Sequence, residues 1–312
     1  MISEPSKNLE LIGLDHYFNE ITNLYNNKNL PNKILLSGKK GTGKSTLAHH
    51  IINYIFSKNE DNKYDKSRNI INRDNKSFKL IENTSHPNFY LIDLIPEKKN
   101  IEIAQIRKMI SHTNKSSFND KPRFILIDNI ENLNINSTNA LLKIIEEPND
   151  NIFFILIHNS EKRILTTLKS RCLYFKIHLT FLETINITNA LIKNDLFKLI
   201  NLELINYYNT PGDFIKLIDF STKKNINLNE YNLINFLYFL IDNGYYKKDK
   251  YVKKLVINLI ELYFLKKLKI EKNKKLILDF YYNFINKIYN TEIFNLDEES
   301  LFLEFKTKML NG

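Results

Sequence analysis

The stretch LLSGKKGTGKSTLA, residues 35–48, decides how the rest of the chain is read. It grows out of an apolar run, KILLS at 33–37, and continues into LAHHIINYIF, whose apolar residues recur at helical spacing. Strand, glycine loop, helix is the order this predicts. The pattern G-x-x-x-x-G-K-[ST] is complete in Gly38, Gly43, Lys44 and Ser45. Such a loop turns backbone N–H groups inward around phosphate oxygens. Lys44 reaches the outer phosphates, Ser45 offers a hydroxyl to Mg²⁺, and the following helix points its positive end at the charge. The chain has only seven glycines and three of them, Gly38, Gly41 and Gly43, fall here, which argues against an ordinary strand-to-helix turn. With Thr46, these residues form the candidate nucleotide-binding set.

Downstream, the polar segment from Ser57 to Lys79 reads as a surface excursion or a helix-plus-loop insertion. HPNFYLIDLI (86–95) predicts a strand, and NIEIAQIRKMISHTN (100–114) a helix with Ile103, Ile106 and Ile110 on one face. RFILID (123–128) predicts another strand, delivering Asp128 to its carboxyl end. An acid there holds Mg²⁺ or polarises its water, or else caps the next helix. NINSTNALLKIIEEPND predicts a helix with Ser137 as N-cap, ended by Pro148 after Glu147. IFFILIHN (152–159) predicts a strand, and SEKRILTTLKSRC a short basic helix carrying Lys162, Arg163, Lys169 and Arg171. This alternation predicts an α/β fold, a parallel sheet with helices on both faces.

Composition narrows the function classes. A chain of 312 residues, 43% apolar, buries a core and has room for two or three domains. No run of eighteen or more apolar residues occurs, and Glu4, Glu10, Asp15 and Glu20 interrupt the start, so neither a membrane span nor a secretion signal is expected and a cytoplasmic location is. The single cysteine, Cys172, excludes an internal disulfide and a multi-cysteine zinc site. The net charge of +10 suits a phosphate-bearing partner, although a uniform bias to Asn, Ile and Lys yields the same number.

LLSGKKGTGKSTLA, HPNFYLID, IEIAQIRKMI, FILIDNIENLN, NALLKIIEEP and TLKSRC, in this order and spacing, resemble the delta-prime subunits of bacterial DNA polymerase III clamp loaders, an AAA+ family. The similarity is strong over residues 9–178 and weak beyond. It implies an AAA+ P-loop sheet (1–178), a small helical lid domain (179–227) and an all-helical C-terminal collar domain (228–312). It also implies a place in a hetero-pentamer with gamma or tau and delta subunits, which loads the sliding clamp on primed DNA. ATP or ADP with Mg²⁺ is the implied cofactor, held by the loop and Asp128, with Ser45 and Asp128 on the metal. Arg171, between Ser170 and Cys172, is then a finger projected into a neighbour's ATP site. Read from the residues alone, it is a solvated charge on a basic helix. Arg107, Lys108 and Lys143 sit on helices that face the DNA channel in such rings, or are plain exposed helix charges.

The departures matter as much. Asn129 follows Asp128 where motor subunits of this family carry a glutamate, and an amide cannot act as a base. YNTPGDFIKLI (208–218) resembles the stretch that places an arginine on the γ-phosphate, yet Asp213 or its neighbours occupy that place and no Arg follows Arg171. A weakly active or inactive nucleotide-binding subunit is therefore expected. Two other readings remain: an active gamma- or tau-like motor, and a small-molecule phosphoryl transferase. Beyond residue 228 the Leu-, Ile- and Tyr-rich helices suit packing against neighbouring collars or a self-contained bundle, with Tyr and Phe in the core.

Overall fold

A computed structural model describes residues 4–96, 98–113, 121–146, 151–294 and 298–310. The chain divides into two compact units, Met1–Asn194 with Asn209–Asp219, and Asp195–Tyr208 with Phe220–Gly312.

The first unit runs α1 (Asp15–Asn26), β1 (Lys33–Gly38), α2 (Lys44–Ser57), α3 (Lys76–Glu82), β2 (Phe89–Ile92), α4 (Ile103–Thr113), β3 (Arg123–Ile127), α5 (Ile135–Glu146), β4 (Ile152–Asn159), α6 (Thr166–Lys169), β5 (Leu173–Lys176) and α7 (Phe181–Ile192). The strands form one parallel sheet in the order β2-β3-β4-β1-β5. Because every strand points the same way, all the strand-to-helix turns open at one end of the sheet, with the loop after β1 between the ends of β4 and β5.

Side chains of each strand alternate between two cores. Ile34, Leu36, Phe124, Leu126, Ile155 and Ile157 pack with α1, α2 and α3 on one face. Leu35, Ile125, Ile127, Phe154 and Leu156 pack with α4, α5 and α6 on the other. That double burial is why these strands read as unbroken apolar runs. The polar segment 57–79 does contribute structure: Tyr64 and Ile71 are buried, and Asn75 caps α3 by accepting from the Phe78 N–H at 2.9 Å. The N-cap expected at Ser137 is corrected. Asn134 caps α5, accepting from the Ser137 N–H at 2.8 Å, while the Ser137 hydroxyl donates to the Ile101 carbonyl. Glu147 and Pro148, expected to end α5, lie outside the described residues.

The second unit begins with α8 (Leu196–Leu199). Then α9 (Pro211–Lys224) starts in the first unit and crosses the division after Asp219. It continues with α10 (Leu233–Asp242), α11 (Tyr245–Lys248), α12 (Lys250–Ile270), α13 (Lys274–Phe294) and α14 (Glu298–Phe305). Its core is aromatic. Phe264, Phe284 and Phe305 lie with ring centroids 5.5–6.1 Å apart, and Phe236 and Phe302 are fully buried. Not every aromatic is core: on α13 Tyr282, Tyr289 and Phe294 are more than 60% exposed. No helix among the described residues is long and apolar enough to cross a membrane.

Candidate nucleotide site

The three loop glycines have different reasons to be glycine. Gly38 has no room, since a Cβ there would lie 2.3 Å from the Ile177 carbonyl oxygen. Gly41 and Gly43 both sit at φ +87°, a conformation that side chains disfavour. Gly43 is also the residue that opens α2. The first-turn N–H groups of that helix, from Lys44 to Thr46, therefore have no acceptor within it. Lys44 is buried and folds back on its own loop, donating to the carbonyls of Gly38 at 2.9 Å and Lys39 at 2.6 Å. Burial pulls its pKa down to about 8, against the opposing pull of Asp128 and Glu131.

Asp128 stands across from Lys44 and takes a hydrogen bond from the Ser45 hydroxyl. Burial and the nearby Asp93 push its carboxyl up to about 6. Asn129 follows in a left-handed conformation, φ +56°; its N–H donates to Asp128 at 2.7 Å and its side-chain amide to Asp93 at 2.6 Å. Glu131 is not free to replace the missing glutamate, because its carboxylate accepts from the Asn159 N–H at 3.0 Å. Thr46 is tied to the N-terminal segment, its hydroxyl accepting from the Asn8 amide at 3.1 Å.

Three residues escaped sequence reasoning. Asn159 lines the pocket at the carboxyl end of β4; a polar residue closing a buried strand was its only signal. Thr210 and Gly212 come from far along the chain to the loop apex. The Thr210 hydroxyl lies 2.9 Å from the Lys40 carbonyl oxygen, and the Gly212 N–H donates to the Gly41 carbonyl at 3.0 Å. Asp213, expected near the γ-phosphate position, turns back instead: its carboxylate accepts from the Thr210 N–H at 3.0 Å and caps α9.

Together these residues enclose a cavity of about 290 Å³. Its lining combines polar side chains, Lys44, Ser45, Asp128 and Asn159, with apolar ones, Ile12, Leu14, Ile187, Leu191 and Ile215. A ligand with a phosphate chain and an apolar ring system matches that composition. Among the described residues no group of three or more His, Cys, Asp or Glu side chains could hold a metal. Mg²⁺ beside Ser45 and Asp128 would thus depend on phosphate oxygens and water, as this ion usually does.

The two shifted groups set a pH window. Asp128 must be ionised to favour Mg²⁺ and Lys44 protonated to favour phosphate, so affinity for Mg²⁺-nucleotide is expected to peak between about pH 6 and 8. Titrating a fluorescent ATP analogue across pH checks this, with Asp128→Asn flattening the acid limb; a flat wild-type profile would contradict it. Folding follows its own signs. Native Asp128 keeps a proton that the unfolded chain has lost between 3.8 and about 6, so its contribution to stability falls as pH rises through that range. The unfolded chain keeps a lysine proton between about 8 and 10.5 that native Lys44 has lost, so stability from this group rises there.

Arg171 is elsewhere. In the β1–β5 pair Leu173 stands opposite Ile34, so Arg171 lies at the amino end of the sheet. At 3.3 Å per residue that is roughly 20 Å along the strands from the loop. Its guanidinium, partly exposed, pairs with Glu146 at 2.6 Å and donates to the Thr167 carbonyl at 2.9 Å. Cys172 is half-buried beside the α4–α5 core, and burial pushes its thiol up to about 11. Arg107 and Lys108 on α4 and Lys143 on α5 are exposed, on helices that pack together over one sheet face.

Comparison with known proteins identifies the family. The family model described as DNA polymerase III, delta subunit, matches residues 13–180. The DNA polymerase III subunit delta' of Pseudomonas aeruginosa is 30% identical over 97 residues, covering 31% of this chain and 30% of that protein. The subunit delta' of Bacillus subtilis is 30% identical over 144 residues, 46% of this chain and 41% of that one. The subunit gamma of Buchnera aphidicola from Schizaphis graminum is 30% identical over 233 residues, 72% and 61% of the two chains. The chain thus spans less than half the length of both delta' relatives. A gamma subunit-related protein of Thermotoga maritima overlays with a TM-score of 0.38 at 14% identity, over 83% of this chain and 76% of that one. With the family match extending over more than half of its 312 residues, the chain belongs to the DNA polymerase III delta-subunit family of clamp-loader proteins.

Proposed function

We propose that this chain is a delta-prime-like subunit of the loader. In this reading it binds ATP or ADP with Mg²⁺ but hydrolyses it poorly, and joins gamma or tau and delta subunits in a hetero-pentamer. It presents Arg171 to a neighbour's ATP while the sliding clamp is placed on primed DNA. The observation that carries the reading is position: Arg171 is exposed at the sheet end opposite its own loop, out of reach of any nucleotide bound there. A guanidinium with fixed donors then suits the charge spread over a γ-phosphate in transfer. Residues 1–178 would form the nucleotide domain, 179–227 the lid and 228–312 the collar. The collar role draws support from Leu278, Tyr282, Tyr289 and Ile293, exposed at helical spacing along α13. The test is ATP turnover by the reconstituted loader with Arg171→Ala.

A gamma- or tau-like motor is the second reading, favoured by the complete set of Gly38, Gly43, Lys44, Ser45 and Asp128. Against it, the residue after Asp128 is an amide, Asn129, whose side chain donates to Asp93, and the next carboxylate along the chain, Glu131, already accepts from the Asn159 N–H. Asn129→Glu is accordingly expected to create no ATPase in the isolated chain. It exchanges a hydrogen bond to Asp93 for repulsion by Asp93 and Asp128. Motor-like turnover by the wild-type chain alone, or by this variant, would favour the motor reading.

A further inference from the structure

The corner between α12 and α13 gathers positive charge that neither the loop nor Arg171 uses. Residues 250–275 hold nine lysines against Glu261 and Glu271, so this stretch carries +7 of the chain's +10. The charge is densest at the turn, where residues 269–276 are all exposed and include Lys269, Lys272, Lys274 and Lys275.

Composition bias does not account for their arrangement. Four other lysines of this unit meet acids: Lys247 pairs with Glu299, Lys306 with Asp242, and Lys287 and Lys308 with Glu304. At the corner Glu271 lies 3.6 Å from Lys267, and among the described residues none of the four corner lysines has an acid partner. The helix dipole explains only part of the pattern. Cations ending α12 are favoured by it, whereas Lys274 and Lys275 open α13, where the positive end of a helix repels them. Only residues 271–273 separate the two helices, and Asn273 caps α13 by accepting from the Leu276 N–H at 3.3 Å, so the four lysines from two helix ends fall within seven residues of one exposed turn.

We propose that this corner binds the phosphate backbone of DNA. Lysine ammoniums are point charges suited to phosphates, and the large apolar side chain most exposed beside them, Ile270 at 80%, is aliphatic and offers no stacking platform. Binding here reads charge, not sequence. It goes beyond the clamp-loader reading and does not depend on it, because the chain alone suffices for the test.

Fluorescence anisotropy of a labelled DNA duplex with the full chain, over a salt series, tests the proposal. Changing all four residues (Lys269→Glu, Lys272→Glu, Lys274→Glu, Lys275→Glu) is expected to lower affinity at least about tenfold. The slope of log affinity against log salt is expected to shrink by about 0.9 for each phosphate no longer neutralised. The set changed to Gln is expected to act in the same direction and provides the reading if the Glu set fails to fold. A triple variant, Arg107→Ala with Lys108→Ala and Lys143→Ala, is expected to leave the corner's contribution in place. Unchanged affinity and slope in the Gln set would overturn the proposal. So would a chain that ignores DNA but binds polyglutamate through these lysines, which would assign the corner to an acidic protein segment. Neither result depends on Arg171 or on loader assembly.

Discussion

Replacing Arg171 by alanine is expected to lower hydrolysis at the one neighbouring ATP site that it faces, in the assembled loader with clamp and primed DNA, by about 10³-fold, the lower end of what arginine fingers contribute. The ring itself is expected to assemble. A factor of that size is about 4 kcal/mol of transition-state stabilisation. The present partner of Arg171 holds it far less tightly. Glu146 is itself half exposed, and a surface ion pair of this kind contributes between about 0 and 1 kcal/mol. Releasing the guanidinium from Glu146 and the Thr167 carbonyl is thus a small cost beside the gain at a γ-phosphate. Two companion variants separate the role from simple charge. Arg171→Lys keeps the charge but loses the planar fork, and is expected to recover little of the rate. Glu146→Ala frees the arginine, and is expected to leave turnover unchanged or raised. Melting temperatures of all three should stay close to wild type. Turnover unaffected by Arg171→Ala in an intact ring would make this residue a surface charge and overturn the trans role.

How much of this was legible in the sequence follows from the range of each signal. The glycine loop is a local pattern: spacing fixes the positions of Gly38, Gly43, Lys44 and Ser45, and the backbone angles at Gly41 and Gly43 follow from it. Strands β3 and β4 were legible because burial on both faces leaves unbroken apolar runs. Interactions made across the fold leave no such trace. Nothing around Glu131 announces that it will accept from Asn159, 28 residues away, and nothing around Asn129 announces Asp93. Ser137 reads as a cap, but Asn134, three residues earlier, satisfies the same rule equally well; burial of the Ser137 hydroxyl against Ile101 decides between them. The strand order, which puts β1 between β4 and β5, and the parallel pairing, which puts Arg171 at the sheet end opposite the loop, depend on long-range contacts and have no local signature. The TPGD sequence at 210–213 stands out by the arginine it lacks, whereas its structural role belongs to Thr210 and Gly212.

Gly212→Ala is the second large expected effect, and it isolates that role. A Cβ at Gly212 would lie 2.6 Å from the Gly41 Cα, closer than real Cβ atoms come to backbone, and 3.1 Å from the Gly41 carbonyl oxygen. Gly212 is not among the residues with positive φ, so the substitution brings no backbone strain of its own and reports the close approach alone. The obstruction is main chain, which cannot swing aside as a side chain can. Either the start of α9 withdraws, breaking the Gly212-to-Gly41 hydrogen bond and the Thr210 bond to the Lys40 carbonyl, or the loop itself shifts. The loop has little freedom to shift, because Lys44 ties the Gly38 and Lys39 carbonyls. Overpacking of this kind costs about 1–3 kcal/mol. If most of it falls on the loop, nucleotide affinity is expected to drop by up to about 100-fold, at about 1.4 kcal/mol per decade. Gly244→Ala is the control: its φ is positive at +59°, but its Cβ would meet only the Lys247 side chain at 3.6 Å or more. It is expected to lower the melting temperature without changing nucleotide affinity. Binding of a fluorescent nucleotide to both variants, beside their thermal melts, checks the pair. Wild-type affinity in Gly212→Ala would mean that the loop holds its shape without the start of α9. A loss confined to Gly212→Ala would mean that this glycine, about 170 residues from the motif, is as much a part of the nucleotide loop as Gly41.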